Sequence, residues 1–160
     1  MPNNSVKSGY VNGSDLLCSF GGKAIGHCTS HSATFNTETS EVAVKPVASQ
    51  ALSANSLYKE KRVTGLGVQI RAEGVQFYGE TEGGFKSILA PWSKGQSVKV
   101  NLFERESDQT PYFSGDCIIT SIEQMAPAGQ DATYNITFEN NGAPDVLDES
   151  KITGETVSGE

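Results

Sequence analysis

The chain has 160 residues, a formal net charge of −7, 17 glycines and three cysteines. That length suits one domain with its own core and no need of disulfides. The acidic balance excludes a protein that grips nucleic acid with a basic stripe, and no apolar run approaches the ~20 residues of a membrane-spanning helix.

Residues 1–13 are polar and read as a flexible arm. They lack the basic start and apolar core of a signal peptide. The Asn3 and Asn135 sequons are therefore not expected to be glycosylated. Ser14 to Phe20 reads as a short strand, Gly21-Gly22 as a turn, and "KAIGHCTSHSATFNTET" as a long return strand with a bulge near Gly26.

That return strand holds both histidines. On a helix, His27 and His31 would share a face as metal ligands do. The Ser/Thr-rich surroundings favour an extended chain instead. There the two imidazoles stand roughly 13 Å apart and Cys28 faces the other way, so no metal site is expected. Cys18, Cys28 and Cys117 form no C-x-x-C. A Cys18–Cys28 or Cys28–Cys117 bond stays open, with free thiols in a reducing compartment favoured.

Residues 40–62 have no clear period and read as a long loop. Its apolar residues, Val42 and Val44 among them, suggest a loop that packs on something. Val63 to Phe77 alternates: Leu66, Val68, Ile70 and Ala72 on one face, Gln69, Arg71 and Glu73 on the other. That is a half-buried strand with one wet side. In "GGFKSILAPWSKG", Phe85, Ile88, Leu89 and Trp92 make one apolar helical stripe, with Gly95 as a stop. Ser97–Glu106, Tyr112–Met125 (its phase shifting at Gly115) and Ala132–Gly142 read as three more strands. Residues 143–160 form an acidic tail with five carboxylates and one lysine.

The predicted architecture is mainly β: a β-sandwich or barrel with one flanking α-helix, spanning 14–142. The expected core comprises Leu66, Val68, Ile70, Trp92, Val100, Ile136 and Phe138. No nucleophile–base pair, phosphate loop or cofactor motif is legible. An enzyme is not expected, and no cofactor. Strands apolar on one face only leave sheet edges to protect, which ring closure by sister copies would do.

Four stretches together resemble the major tail tube proteins of long-tailed bacteriophages. They are "SDLLCSFGGKAIGHCTSHSATFNTET", "GVQIRAEGVQF", "GGFKSILAPWSKGQSVKVNLFE" and "GDCIITSIEQMAPAGQDATYNITFENNGAP". The resemblance implies a tail-tube-like fold and a virion protein made in the host cytoplasm, with no membrane. It implies homohexameric rings stacked into a hollow tube, joined by a tail terminator, baseplate or tape-measure protein. DNA would pass the lumen without specific binding. The long loop would touch the next ring, through Val42, Val44, Lys45, Leu57, Tyr58 and Lys59. Gln69, Arg71 and Glu73 are the expected lumen side chains. The alternative is a monomeric β-sandwich module that binds carbohydrate or protein on its Ser/Thr/Tyr-rich face.

Overall fold

A computed structural model describes residues 9–42, 60–79, 83–104 and 111–147. A 3₁₀ turn, Gly13–Asp15, opens onto β1 (Leu16–Phe20) and β2 (Lys23–Ala24). Then come β3 (Cys28–Val42), β4 (Glu60–Val75), α1 (Phe85–Lys94), β5 (Val98–Glu104), β6 (Phe113–Met125), β7 (Thr133–Asn140) and β8 (Val146–Leu147).

All eight strands belong to one sheet in the order β2-β1-β5-β6-β7-β4-β3, with β8 added to β6. Among the described residues the path is open, so the sheet does not close into a barrel there. β6 serves two neighbours in turn: Phe113 to Cys117 pair with β5, and Cys117 to Met125 with β7. The sheet therefore folds over itself about β6 in sandwich fashion. Phe20 of β1 meets Phe138 of β7 with ring centroids 6.1 Å apart. Phe35 of β3 meets Phe113 edge-on at 6.5 Å.

The core fills that fold. Ile70, Ala72, Ile88, Val100, Leu102, Phe113, Ile136 and Phe138 have no exposed surface. Helix α1 closes one end, placing Ile88 in the core and Phe85 6.3 Å from the Tyr134 ring. Pro91 sits within it, and Gly95 at φ 64° stops it, the Gln96 N–H donating back to the Pro91 carbonyl at 3.0 Å.

Several expectations need correction. Leu66 and Trp92 are 76% and 51% exposed, not core, and Val68 is only half-buried. Leu66 is on the apolar face of β4, but on the part of that strand that runs beyond its ladder with β7, which ends at Gln69. Trp92 follows Ile88 by one helical turn on the same stripe, but of the residues of α1 Ile88 alone is buried. The long return strand is broken at Gly26 and His27, and β3 then carries a register shift between Cys28 and Ser30. Only Lys23 and Ala24 pair with β1, whereas β3 pairs with β4. His27 has a φ of 52°, one that a non-glycine residue seldom adopts. The strands also run into the expected loop: Ser40, Glu41 and Val42 pair with Arg62, Lys61 and Glu60. Val42 is thus a strand residue. Val44, Lys45, Leu57, Tyr58 and Lys59 lie outside the described residues. The register shift of β6 falls between Ile119 and Ser121, not at Gly115.

The start of the acidic tail is likewise part of the fold. The Asp145 N–H donates to the Ser114 carbonyl at 2.7 Å, and Lys99 Nζ lies 3.0 Å from the Asp145 carboxylate. β8 follows, pairing with the first residues of β6.

Candidate functional site

Strands β6, β7, β4 and β3 form a four-stranded antiparallel sheet whose outward face is polar. Alternation along β4 turns Ile70 and Ala72 into the core and sends Gln69, Arg71 and Glu73 the other way. The ladders extend this into three cross-strand rows. Glu73 aligns with Ser30, Asn135 and Glu123; Arg71 with Ser32, Thr137 and Ser121; Gln69 with Thr34, Glu139 and Ile118. Glu38 continues the same alternation along β3. Within the three rows one arginine thus faces three glutamates, Glu73, Glu123 and Glu139, across a surface otherwise mostly of hydroxyls and amides.

Both margins of this sheet are open among the described residues. β3 has β4 on one side and no strand on the other along its 15 residues. β6 loses β5 after Cys117, so Ile118 to Met125 have β7 as their one neighbour. An open edge that long is a template for another chain unless something covers it. Sequence reasoning anticipated exposed edges but not which strands carry them, because pairing partners leave no local mark in a Ser/Thr run.

The sheet also has two distinct ends. At one, β3 and β4 outrun β7 as a two-stranded ribbon. Asn140 marks the parting: its Oδ1 accepts from the Val68 N–H at 2.9 Å and its Nδ2 donates to the Gly142 carbonyl at 2.9 Å. The ribbon's inner side carries Phe35, Val63 and Leu66, each more than half exposed. A two-stranded ribbon is marginal alone, so these side chains call for a covering surface. At the other end His27 stacks on Phe77 with centroids 4.6 Å apart, and Tyr78 is almost wholly exposed.

The histidines and cysteines are scattered. His27 occupies the turn, its carbonyl accepting from the Val75 N–H at 3.0 Å. His31 is half-buried opposite Ala72, and desolvation lowers its pKa. All three cysteines are free; burial pushes the Cys117 thiol up to about 11 and the Cys18 thiol up further. No cluster of three or more metal-ligating side chains occurs among the described residues.

With this geometry in view, the solved structures of similar shape are informative. The tail of an empty gene transfer agent particle, refined with C6 symmetry, has a subunit that matches 86% of this chain and 99% of its own, with a TM-score of 0.67 at 19% identity. A chain of the native gene transfer agent virion matches with a TM-score of 0.62 at 20% identity, over 84% of this chain and 97% of its own. The SPP1 tail tube subunit matches 94% of this chain and 90% of its own, with a TM-score of 0.58 at 14% identity. The fold is therefore that of tail tube proteins. No protein-family model and no curated protein sequence matches the chain.

Proposed function

We propose that this chain is the structural subunit of a tail tube, assembling into stacked hexameric rings that form a conduit for genome ejection. The observation that carries the reading is the four-stranded sheet with a polar face and two open edges. Four is an even number, so β3 and β6 run in opposite directions. A second copy that sets its β6 against β3 makes an antiparallel seam, and the operation repeats until a ring closes.

The size of such a ring suits a conduit. Six copies give about 24 strands; at ~4.8 Å spacing and a tilt near 40° the backbone wall is about 48 Å across. Side chains on both walls still leave an aqueous channel wide enough for a duplex. The wall chemistry suits it too. Affinity for DNA is built from cations that displace counterions from phosphate. Arg71 is the one cation in the three rows, and Glu73 lies two residues along the same strand.

In this reading Gln69, Arg71 and Glu73 face the lumen. The ribbon and the connection at its tip, with Val42, Val44, Lys45, Leu57, Tyr58 and Lys59, reach the adjacent ring. The particle's terminator, baseplate and tape-measure proteins meet the ends of the tube. The product resides in the virion.

Electron microscopy of the purified chain across a concentration series tests this. Rings or tubes with six-fold symmetry are expected. A monomer that persists at high concentration, with both edges protected from hydrogen exchange, would favour the single-domain binding module instead.

A further inference from the structure

Two Asn-Gly pairs occur in the chain, Asn12-Gly13 and Asn141-Gly142. Such a pair can react with itself. Glycine has no Cβ to keep its backbone nitrogen away from the side chain before it. That nitrogen, once it gives up its proton to solvent base, attacks the asparagine Cγ. The new C–N bond closes a succinimide, and the side-chain nitrogen departs as ammonia. Water then opens the ring. Cleavage at the Cγ carbonyl leaves aspartate, and cleavage at the main-chain carbonyl leaves isoaspartate. One water is consumed, one ammonia is released, and nothing is oxidised or reduced.

The fold treats the two pairs differently. Asn12 caps the turn Gly13–Asp15: its Oδ1 accepts from the Ser14 N–H at 3.0 Å and its carbonyl from the Asp15 N–H at 3.0 Å. Its side chain must leave that cap before Cγ can turn to Gly13. Asn141 and Gly142 are both exposed. Among the described residues no hydrogen bond holds the Asn141 side chain or the Gly142 N–H, so neither the electrophile nor the nucleophile is tied. We propose that Asn141 is a site of spontaneous deamidation, and that the isoaspartate product loosens β8 from β6.

The consequence follows from where the residue sits. After β7 the chain is pinned to β6 at two points: the Asn141 N–H donates to the Asp116 carbonyl at 2.8 Å, and the Asp145 N–H to the Ser114 carbonyl at 2.7 Å. Between the pins Pro144 packs on Gly115, its Cα 3.2 Å from where a Cβ on residue 115 would lie. β8 begins directly after the second pin, at Val146. Both acceptors belong to one strand, so the arch between the pins has a set span. Isoaspartate lengthens that arch by one backbone atom and leaves a free α-carboxylate at residue 141. The arch then no longer seats Pro144 on Gly115 and delivers the Asp145 N–H to Ser114 at the same time.

The purified full chain is held at mildly alkaline pH in heavy-oxygen water, folded in one arm and in guanidinium chloride in the other, then digested and mapped by mass spectrometry. In denaturant both pairs are expected to convert at similar rates. In the folded chain Asn141 is expected to convert about fivefold faster than Asn12 or more, its isoaspartate carrying heavy oxygen. An Asn141 that stays intact when folded while denaturant converts it, or an Asn12 that converts as fast, would overturn the site. Hydrogen exchange at the Asp145 amide reads the consequence. The aged chain is expected to exchange there faster than the fresh one, and Asn141→Gln aged for the same time to keep its protection. Equal protection in aged and fresh chains would show that the arch absorbs the extra atom and would overturn the loosening of β8.

Discussion

Tyr134 occupies the space in front of its ladder partner Gly74, so closely that a Cβ on residue 74 would fall 2.7 Å from the phenol Cζ and hydroxyl. The same hydroxyl donates to the Gly26 carbonyl at 2.8 Å in the buried interior. One tyrosine thus holds the chain where it leaves β2 for β3. Gly74→Ala is expected to lower stability by about 1–3 kcal/mol through overpacking. Tyr134→Phe is expected to cost about 1–3 kcal/mol through the unpaired buried carbonyl. Urea midpoints measure both. A Gly74→Ala chain as stable as the parent would mean the phenol has room that these distances deny.

Burial along β4 falls off with position, and a charge scan reads that gradient. Ile70 is fully buried and Val68 only partly. Ile70→Lys is expected to prevent folding or to cost about 3–5 kcal/mol, and Val68→Lys clearly less, since its ammonium can reach water. Thermal melts of the two soluble fractions give the comparison. Equal losses would show that the ribbon end is as well covered as the centre.

That gradient also explains what the sequence could and could not convey. Alternation alone places Ile70, Ala72, Ile136 and Phe138 on inner faces, because a period of two is a local property of the strand. It places Leu66 there by the same logic, and correctly as to face. Whether that face is covered depends on how far the rest of the sheet accompanies β4, and the ladder with β7 ends near Asn140, some seventy residues away. Trp92 fails for a kindred reason: the helical stripe is visible, but only the part around Ile88 meets the sheet. The turn at His27 gave no signal, since glycine and not histidine announces a left-handed residue. Of the candidate surface, the polar face could be read in Gln69, Arg71 and Glu73. The open edges could not be assigned to strands, because an edge is defined by the absence of a partner.

His31 offers a test by pH. Desolvation on β3 lowers its pKa below that of the unfolded chain. The unfolded state then binds more protons over the window between the folded value and about 6.5. Stability is expected to fall as the pH drops through that window, and His31→Gln is expected to flatten this part of the profile. Denaturant midpoints between pH 5 and pH 7 provide the check. An unchanged slope in His31→Gln would assign the pH response to the carboxylates.

The wall charge has a direct consequence for passage. Glu73 and Glu123 align in one cross-strand row, joined by Asn135. Glu73→Lys with Glu123→Lys turns that row basic, repeated around every ring. Exposed strand positions tolerate the exchange, so folding and assembly are expected to persist. Tubes are then expected to bind DNA with a steep inverse dependence on salt, and particles to eject their genome more slowly. Filter binding across a salt series and single-particle ejection rates are the measurements. Tubes that remain indifferent to DNA would place this face on the outside of the wall.

The seam itself can be challenged on β3. Phe35 and Thr37 oppose Val68 and Leu66, and point toward the inner side of the ribbon. Phe35 is 55% exposed and touches Phe113 edge-on, a contact worth about 0.5–1.5 kcal/mol. Its loss leaves the buried centre of the sheet intact. An inward-pointing charge on an edge strand is the device by which proteins prevent edge-to-edge association. The ammonium would be pressed against the incoming strand of the neighbour with no water to receive it. Phe35→Lys with Thr37→Lys is therefore expected to leave the circular dichroism spectrum native while lowering the melting temperature modestly. Sedimentation should show a monomer at concentrations where the parent forms rings. Rings built normally by this variant would remove β3 from the seam and require the copies to meet through another surface. A monomer that also loses its native spectrum would be answered by Thr37→Lys alone, which spares the Phe35–Phe113 contact and still carries one charge into the seam.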